Sequence, residues 1–333
     1  MAEEPEIEGL PEEVEERIDR GDYAGALSLL ESLEVPAAGD LRAELFYRIG
    51  YCRLHLGRYG QAQEALLAAR AADEGEHFRF RISVALANLM LRSGRYGDAA
   101  KLLRDLLESG GHDPEEETLL HYSLGQAEFY LGELKEAIAS FHKALAHYRK
   151  SKSARGIIST LQSLAAAHQL RHEVEPATDA YLEAYELSKK QEDWQSVGLI
   201  YLNLGALYQD RGHYINAEHY FDQALAIMRD LGRVPYEVSL LCNLGNLTVR
   251  MGLLDEASEY FEGAEKLLEE KPELKQYRGY LHAYRSELHA DTGDFDAAAR
   301  DLKDAQEIFS ALKNPKDLAL VAEGRIELAV RAH

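Results

Sequence analysis

The chain has 333 residues, of which 46 % are hydrophobic and 29 % charged, which is typical of a folded soluble protein and not of a disordered one. Its longest apolar stretch has ten residues, too few to cross a bilayer, and its acidic N-terminus lacks the basic and then apolar pattern of a secretory signal. The net charge of −21 argues against nucleic acid and anionic membranes as general partners.

The charge is unevenly distributed along the chain. The first 19 residues contain nine acidic residues and one arginine. Residues 40–104, by contrast, contain eleven Lys/Arg and seven Asp/Glu, a balance of +4 that leaves −25 for the rest of the chain. An acidic partner would therefore be repelled at long range and would dock where the sign reverses.

The predicted elements begin with an acidic lead, residues 1–10. Residues 11–38 form an atypical first repeat, with a short acid-rich helix over 11–20 and a second helix over 23–33. Residues 41–312 hold seven further repeats. Residues 316–333 form a C-terminal helix, which is either a cap or the start of another repeat. We predict one repeat domain over the whole chain, 1–333.

A recurring glycine defines the repeats. An aromatic residue or Leu follows it after two residues, then an Ala, then a large apolar residue; His172 replaces the glycine once. The separations are 36, 37, 38, 40, 40, 40 and 41 residues, and self-similarity at such a period is typical of a solenoid. The repeating glycines are Gly21, Gly57, Gly94, Gly132, Gly212, Gly252 and Gly293.

Each repeat is predicted to be a pair of antiparallel helices. Apolar residues over 197–209 and again over 215–229 follow the helical period, and Gly212 between them suits a left-handed helix end. A second glycine lies in the first helix seven residues before the turn, as at Gly205. It indicates a close helix contact, which we expect the Ala of the second helix, such as Ala217, to permit.

This pattern resembles the tetratricopeptide repeat family. The resemblance covers nearly the whole chain and is clearest in Leu204-Gly205, Gly212, Tyr214, Ala217, Phe221 and Ala224-Leu225. It implies an all-α, right-handed superhelical solenoid of about eight helix-turn-helix repeats with an extra C-terminal helix. The period exceeds the family's common one of about 34 residues. This longer variant is similar to members that bind extended peptides and to bacterial peptide-sensing regulators.

Sites for catalysis or cofactors are not indicated. Asp291-Thr292-Gly293 matches the aspartic-protease triplet but falls on an inter-helix turn, without a second copy to pair with. His168 and His172, with Glu173 and Glu175, have metal-ligand spacing, but His172 occupies the turn-glycine position. We expect no enzyme activity, no metal and no cofactor.

The first helices of stacked repeats are expected to line a concave groove. Reading their groove-facing positions gives two sets, which we name the front zone and the rear zone. The front zone consists of Tyr47, Arg48, Tyr51, His55, Arg81, Asn88, Arg92, Tyr122, Gln126 and Tyr130. The rear zone consists of Gln162, Ser163, Gln169, Asn203, Gln209, Asn243, Asn246, Arg250 and Tyr284.

The two zones differ in chemistry. The front zone combines Arg with aromatic residues inside the net-basic stretch, which favours an acidic or aromatic-acidic segment of a partner. The rear zone is rich in amides, which can pair with the backbone of an extended peptide. By resemblance to the family, Asn203 and Asn243 hold that backbone. The family's carboxylate clamp is absent, because Tyr280 and Tyr284 occupy the corresponding places.

The predicted function is a non-catalytic scaffold or adaptor that binds a peptide or partner helix. Two alternatives stay open: a ligand-gated regulator, and self-assembly in which the acidic end of one copy binds the basic groove of another. Cys52 and Cys242 lie in different repeats, so no disulfide is expected and the predicted location is the cytoplasm.

Overall fold

Helices are the only regular secondary structure in the computed structural model, which describes residues 10–36, 38–312 and 315–331. The predicted acidic lead therefore lies outside the described residues, apart from Leu10. Within the described residues there are seventeen helices. They are α1 (Glu12–Asp19), α2 (Tyr23–Ser32), α3 (Asp40–His55), α4 (Tyr59–Ala72), α5 (Arg79–Arg92), α6 (Tyr96–Ser109), α7 (Pro114–Leu131), α8 (Leu134–Ser151), α9 (Ala154–Leu170), α10 (Val174–Lys190), α11 (Trp194–Asp210), α12 (Tyr214–Asp230), α13 (Val234–Arg250), α14 (Leu254–Glu270), α15 (Lys275–Asp291), α16 (Phe295–Leu312) and α17 (Pro315–Arg331).

The helices form hairpins in chain order, from α1–α2 to α15–α16, and α17 follows as an additional helix. This confirms the predicted all-α helical repeat. The amphipathic segment 197–209 lies within α11, and 215–229 lies within α12. None of the helices in the described part of the chain combines the length and apolar character that a bilayer crossing requires.

The described residues form two compact units, divided between His147 and Tyr148: unit 1 precedes this point and unit 2 follows it. In unit 1 the first helices of successive hairpins contact each other, α3 with α5 and α5 with α7. In unit 2 the same holds for α9 with α11, α13 with α15 and α15 with α17. Within each unit, first helices therefore lie beside first helices, which brings the residues of a predicted zone near one another.

The turn between the helices of a hairpin uses the left-handed backbone region. Gly212 has φ 73°, and His172 has φ 59°, so His172 adopts the conformation that glycine adopts in the other repeats. Because His172 adopts this conformation, the turn is kept in this repeat although its residue is not glycine.

The mid-helix glycines pack against a large side chain of the second helix. A Cβ at Gly125 would lie 2.7 Å from the ring of Phe141, and a Cβ at Gly245 would lie 2.6 Å from that of Phe261. The corresponding alanines, Ala137 and Ala257, are completely buried. In these two repeats the expected close contact is made by the aromatic side chain four positions after the alanine.

Both cysteines are free and buried. Burial raises the pKa of the Cys52 thiol to about 11 and that of Cys242 to about 12. Since the thiolate is the reactive form, both side chains act as apolar packing groups.

Candidate protein-binding surfaces

The front zone in unit 1 is built around an aromatic cluster on α3. The ring of Tyr51 lies 6.2 Å from that of Tyr47 and 4.5 Å from that of His55. Tyr23 of α2 stacks on His55 at 4.3 Å. The i, i+4 spacing of these residues places them on one face of α3, so a continuous aromatic surface follows from the sequence spacing.

Arg48 lies on the same helix, and its guanidinium already binds two carboxylates. It donates to Glu44 one turn away at 2.9 Å and forms an ion pair with Glu15 of α1. Its hydrogen bond to Glu15 lowers the pKa of that carboxyl, burial opposes the change, and the charge of Arg81 adds to the lowering. Glu15 is therefore ionised at neutral pH, and α1 contributes an acid to the front zone.

Two arginines of α5 are exposed in the same zone. Arg81 and Arg92 form no ion pair with any residue that the structure describes. Arg81 lies close enough to Tyr47 to oppose the rise that burial causes in the pKa of the Tyr47 hydroxyl, and Arg92 acts likewise on Tyr51. Asn88, between them on α5, is half-buried. The two cations thus border the aromatic cluster.

The front-zone residues of α7 differ in exposure. Tyr122 is half-buried, with its ring 6.0 Å from that of Phe141, and its hydroxyl accepts a hydrogen bond from Gln126 at 3.3 Å. Tyr130 is 48 % exposed and stacks on Tyr96 at 4.8 Å.

In the rear zone of unit 2, Asn203 of α11 and Asn243 of α13 occupy equivalent places in successive repeats. Both are half-buried, and neither side chain hydrogen-bonds to another described residue. Their amide groups therefore keep both a donor and an acceptor for an external group.

Asn246 has a different environment from the one expected. It is 3 % exposed, accepts from Gln209 at 2.9 Å and from Arg250 at 3.2 Å, and donates to Glu287 at 2.9 Å. These bonds join α11, α13 and α15. Gln169 likewise donates to Asp210 at 3.0 Å, joining α9 to α11. Several rear-zone amides thus form rungs between successive first helices.

Glu287 ends this row of rungs. Burial raises the pKa of its carboxyl, the charge of Arg250 opposes that, and the nearby charge of Glu327 raises it further. Burial also raises the pKa of the neighbouring Tyr284 hydroxyl to about 12. The rear zone therefore has a partly desolvated acid at one end and exposed Arg250 close by.

The candidate catalytic and metal residues have structural partners. Asp291 forms an ion pair with Arg331 of α17, and His168 lies 2.6 Å from Glu173, which also binds Arg171. Among the described residues, His282, Asp301 and Asp304 could also converge on a metal ion. Arg285, however, donates to Asp301 at 2.8 Å and 3.0 Å, so a fixed cation already occupies that carboxylate.

Glu15 and Tyr23 were not among the predicted site residues. Both belong to the first repeat, whose short first helix lacks the mid-helix glycine from which groove-facing positions are counted in other repeats. The signal that could have identified Glu15 is charge: it lies in the acid-rich first 19 residues, and Arg48 lies in the basic stretch.

Comparison with known proteins agrees with this architecture. The family model described as the MalT-like TPR region matches residues 123–270, and the model of the tetratricopeptide repeat matches residues 43–74. The chain belongs to the tetratricopeptide repeat family. A comparison of this tetratricopeptide repeat protein with curated protein sequences found no match.

Several solved structures share its fold. One is a Rap protein in complex with competence and sporulation factor, with 17 % identity, a TM-score of 0.64, and coverage of 96 % of this chain and 97 % of the other. A tetratricopeptide repeat protein from Parabacteroides merdae has 17 % identity and a TM-score of 0.58, over 84 % of this chain and 98 % of the other.

A third is a signal-transduction ATPase with a tetratricopeptide repeat sensor, from Pyrococcus horikoshii. It has 19 % identity and a TM-score of 0.61, over 94 % of this chain and 49 % of that longer one. At identities this low, the likeness to all three structures establishes the fold and nothing about ligands.

Proposed function

We propose that this tetratricopeptide repeat protein is a non-catalytic interaction scaffold whose front zone binds an acidic or aromatic-acidic segment of a partner. The observation that carries the proposal is the pair of exposed cations on α5, Arg81 and Arg92, beside the aromatic cluster of α3. In a chain of net charge −21, two exposed arginines that form no ion pair with a described residue leave their guanidinium groups available to the acid of a partner.

The chemistry of the front zone fits such a segment. Each Arg–carboxylate hydrogen bond would contribute about 1.5–3 kcal/mol if partly desolvated, and about 0.2–1 kcal/mol if it stays exposed. Tyr47, Tyr51 and His55 offer flat apolar surface next to those charges, and aromatic residues beside Arg are frequent interface anchors. Tyr122 and Gln126 would extend the surface along α7.

The rear zone would bind the backbone of an extended peptide. Asn203 and Asn243 have free amides one repeat apart, a spacing that suits an extended chain lying across successive first helices. Asn246 would support this surface from below through its rungs, and Arg250 would face the ligand. The complex of a Rap protein with competence and sporulation factor supports the binding of a partner factor as a use of this architecture.

The test is charge reversal at both free cations. Partners captured on the wild-type protein are identified by mass spectrometry, and the strongest is titrated against Arg81→Glu/Arg92→Glu at low and high salt. We expect at least a tenfold loss of affinity, since two lost contacts and new repulsion together exceed about 1.4 kcal/mol. The matched control is Arg58→Glu/Arg70→Glu, which changes the net charge equally outside the front zone. If the Arg81/Arg92 variant bound the partner with wild-type affinity, the front zone would not be the binding site.

A ligand-gated regulator is a second candidate, favoured by the rungs between α11, α13 and α15. A ligand bound to Asn243 and Arg250 would contact helices that are hydrogen-bonded in series, so that its binding could change their spacing. Small-angle scattering with and without the identified partner peptide separates the candidates. A change in radius supports the regulator, and an unchanged radius supports the rigid scaffold.

A further inference from the structure

One carboxylate of the chain already lies on the front zone. Glu15 of α1 binds Arg48, whose side chain is 14 % exposed, while the Glu15 side chain is 54 % exposed. The carboxylate thus approaches the guanidinium from the solvent side, the direction from which the acid of a partner would come.

The other acids of α1 do not share this position. Glu13 pairs with Arg17 at 2.8 Å and Glu16 pairs with Arg20 at 3.1 Å, both within α1 and its C-terminal end. Among the ion pairs of α1 within the described residues, the Glu15 pair is the one that reaches the front zone. It therefore differs from an ordinary solvated acid of a helix surface.

Arg48 stays oriented without Glu15. Glu44 lies one turn before Arg48 on α3 and accepts from its guanidinium at 3.1 Å and 2.9 Å. If the Glu15 side chain rotated away, the guanidinium would keep its place through Glu44 and would present free N–H donors beside Arg81 and Tyr47. That vacant position is a carboxylate site next to a second cation.

We propose that Glu15 is a built-in competitor: its carboxylate occupies the Arg48 position of the front zone, and the carboxylate of an acidic partner replaces it there. This inference rests on the proposed function of the front zone. The exchange needs a rotation of one half-exposed side chain and leaves α1 packed through Val14, which is fully buried. The apparent affinity for the partner is then reduced by the fraction of molecules in which Glu15 covers Arg48.

The experiment compares Glu15→Gln with Glu16→Gln, which makes the same change of charge one residue later in α1. The probe is a labelled synthetic peptide with the sequence of residues 1–19, which contains nine acids and one arginine. We expect Glu15→Gln to bind this peptide about threefold to tenfold more tightly than the wild type and Glu16→Gln to bind like the wild type. The difference should shrink at high salt.

Two further measurements distinguish failure of the competitor proposal from failure of the front-zone proposal. Hydrogen exchange at Val14 must be the same in Glu15→Gln and the wild type; loss of protection would mean that α1 has detached, and would overturn side-chain competition. Equal affinity of Glu15→Gln and Glu16→Gln, with binding still abolished by Arg81→Glu/Arg92→Glu, would overturn the competitor and keep the front zone. Binding unaffected by the Arg81/Arg92 reversal would overturn both.

Discussion

The ring of Phe221 packs directly against the backbone of Gly205. A methyl group at residue 205 would lie 2.5 Å from ring atoms Cδ1 and Cε1 of Phe221, and that ring is completely buried. The contact joins α11 to α12. The same arrangement recurs with Gly245 and Phe261, so it is a property of the repeat.

Gly205→Ala should therefore destabilise unit 2 although alanine is the better helix former. We expect a loss of about 1–3 kcal/mol, since the buried ring cannot move aside. The control is Gly263→Ala in α14, where the added Cβ meets only Leu241 at 3.7 Å. That variant should gain about 0.5–1 kcal/mol from helix propensity. Urea titrations followed by circular dichroism measure both, and equal changes would contradict the packing described.

The sequence was sufficient to predict this hairpin, and the reason is physical. Each repeat solves the same packing problem, so the glycine, the alanine and the large apolar residue recur in register, and the helices follow from their period. The atomic contact between the two helices could not be predicted from the sequence pattern. Ala217 and Phe221 lie on the same face of α12, and only the direction of the longer side chain decides that Phe221 contacts Gly205.

Asn246→Ala should lower stability where Asn243→Ala does not. Removing the Asn246 amide leaves Gln209, Arg250 and Glu287 each without one hydrogen-bond partner in a largely desolvated region. We expect a cost of about 1–3 kcal/mol, which corresponds to a fall in melting temperature of about 2–10 °C. Asn243→Ala should stay within about 0.5 kcal/mol of the wild type, because its amide has no described partner. Thermal denaturation of the two variants side by side is the measurement; a reversed order would contradict the rungs.

Glu287→Gln is expected to stabilise the protein at neutral pH. Burial raises the pKa of Glu287 above its usual 4.5, so the folded state binds this proton more tightly than the unfolded state. The stability linked to that proton is present at low pH and is lost as the pH rises through the folded pKa. Glutamine keeps the oxygen that Asn246 needs and has no charge to desolvate.

The melting temperature of Glu287→Gln at pH 7 should exceed that of the wild type by about 1–3 °C, and the gap should close below pH ~4. The control is Glu323→Gln, at an exposed position of α17. Melting curves from pH 3 to pH 8 provide the comparison, and a gap that widens in acid would refute the assigned direction.

Asp301 should show the opposite pH dependence. Its carboxylate is 5 % exposed, and hydrogen bonds from His282 and Arg285 outweigh burial and hold its pKa below the usual 3.8. A lowered folded pKa contributes stability above the unfolded pKa, and this is lost as the pH falls through the folded value. We expect Asp301→Asn to cost about 2–4 kcal/mol at pH 7 and progressively less below pH ~4. Asp304→Asn, at an exposed position one turn away, is the control. A constant cost for Asp301→Asn at all pH values would exclude the carboxylate charge as its origin.

The candidate sites were less predictable than the fold. The exposure of Arg81 and Arg92 on α5 could be predicted from charge and helical position alone, because the helical period decides which side of the helix a residue occupies. Asn246 could not, because its partners Gln209 and Glu287 lie 37 and 41 residues away, in neighbouring repeats. Two polar residues of successive first helices that are separated by about one repeat period are the sequence signal for such rungs.

The turns after α8, α9 and α10 differ from those later in unit 2. Lys152, His172 and Glu192 adopt left-handed backbone conformations at φ 58°, 59° and 56°, where later turns have Gly212, Gly232 and Gly252. Each side chain in that region costs about 1–2 kcal/mol relative to glycine. In a stack where each hairpin depends on its neighbours, this cost lowers the local free energy of opening. We therefore expect local unfolding within unit 2 to begin between residues 152 and 192, before the unit unfolds as a whole.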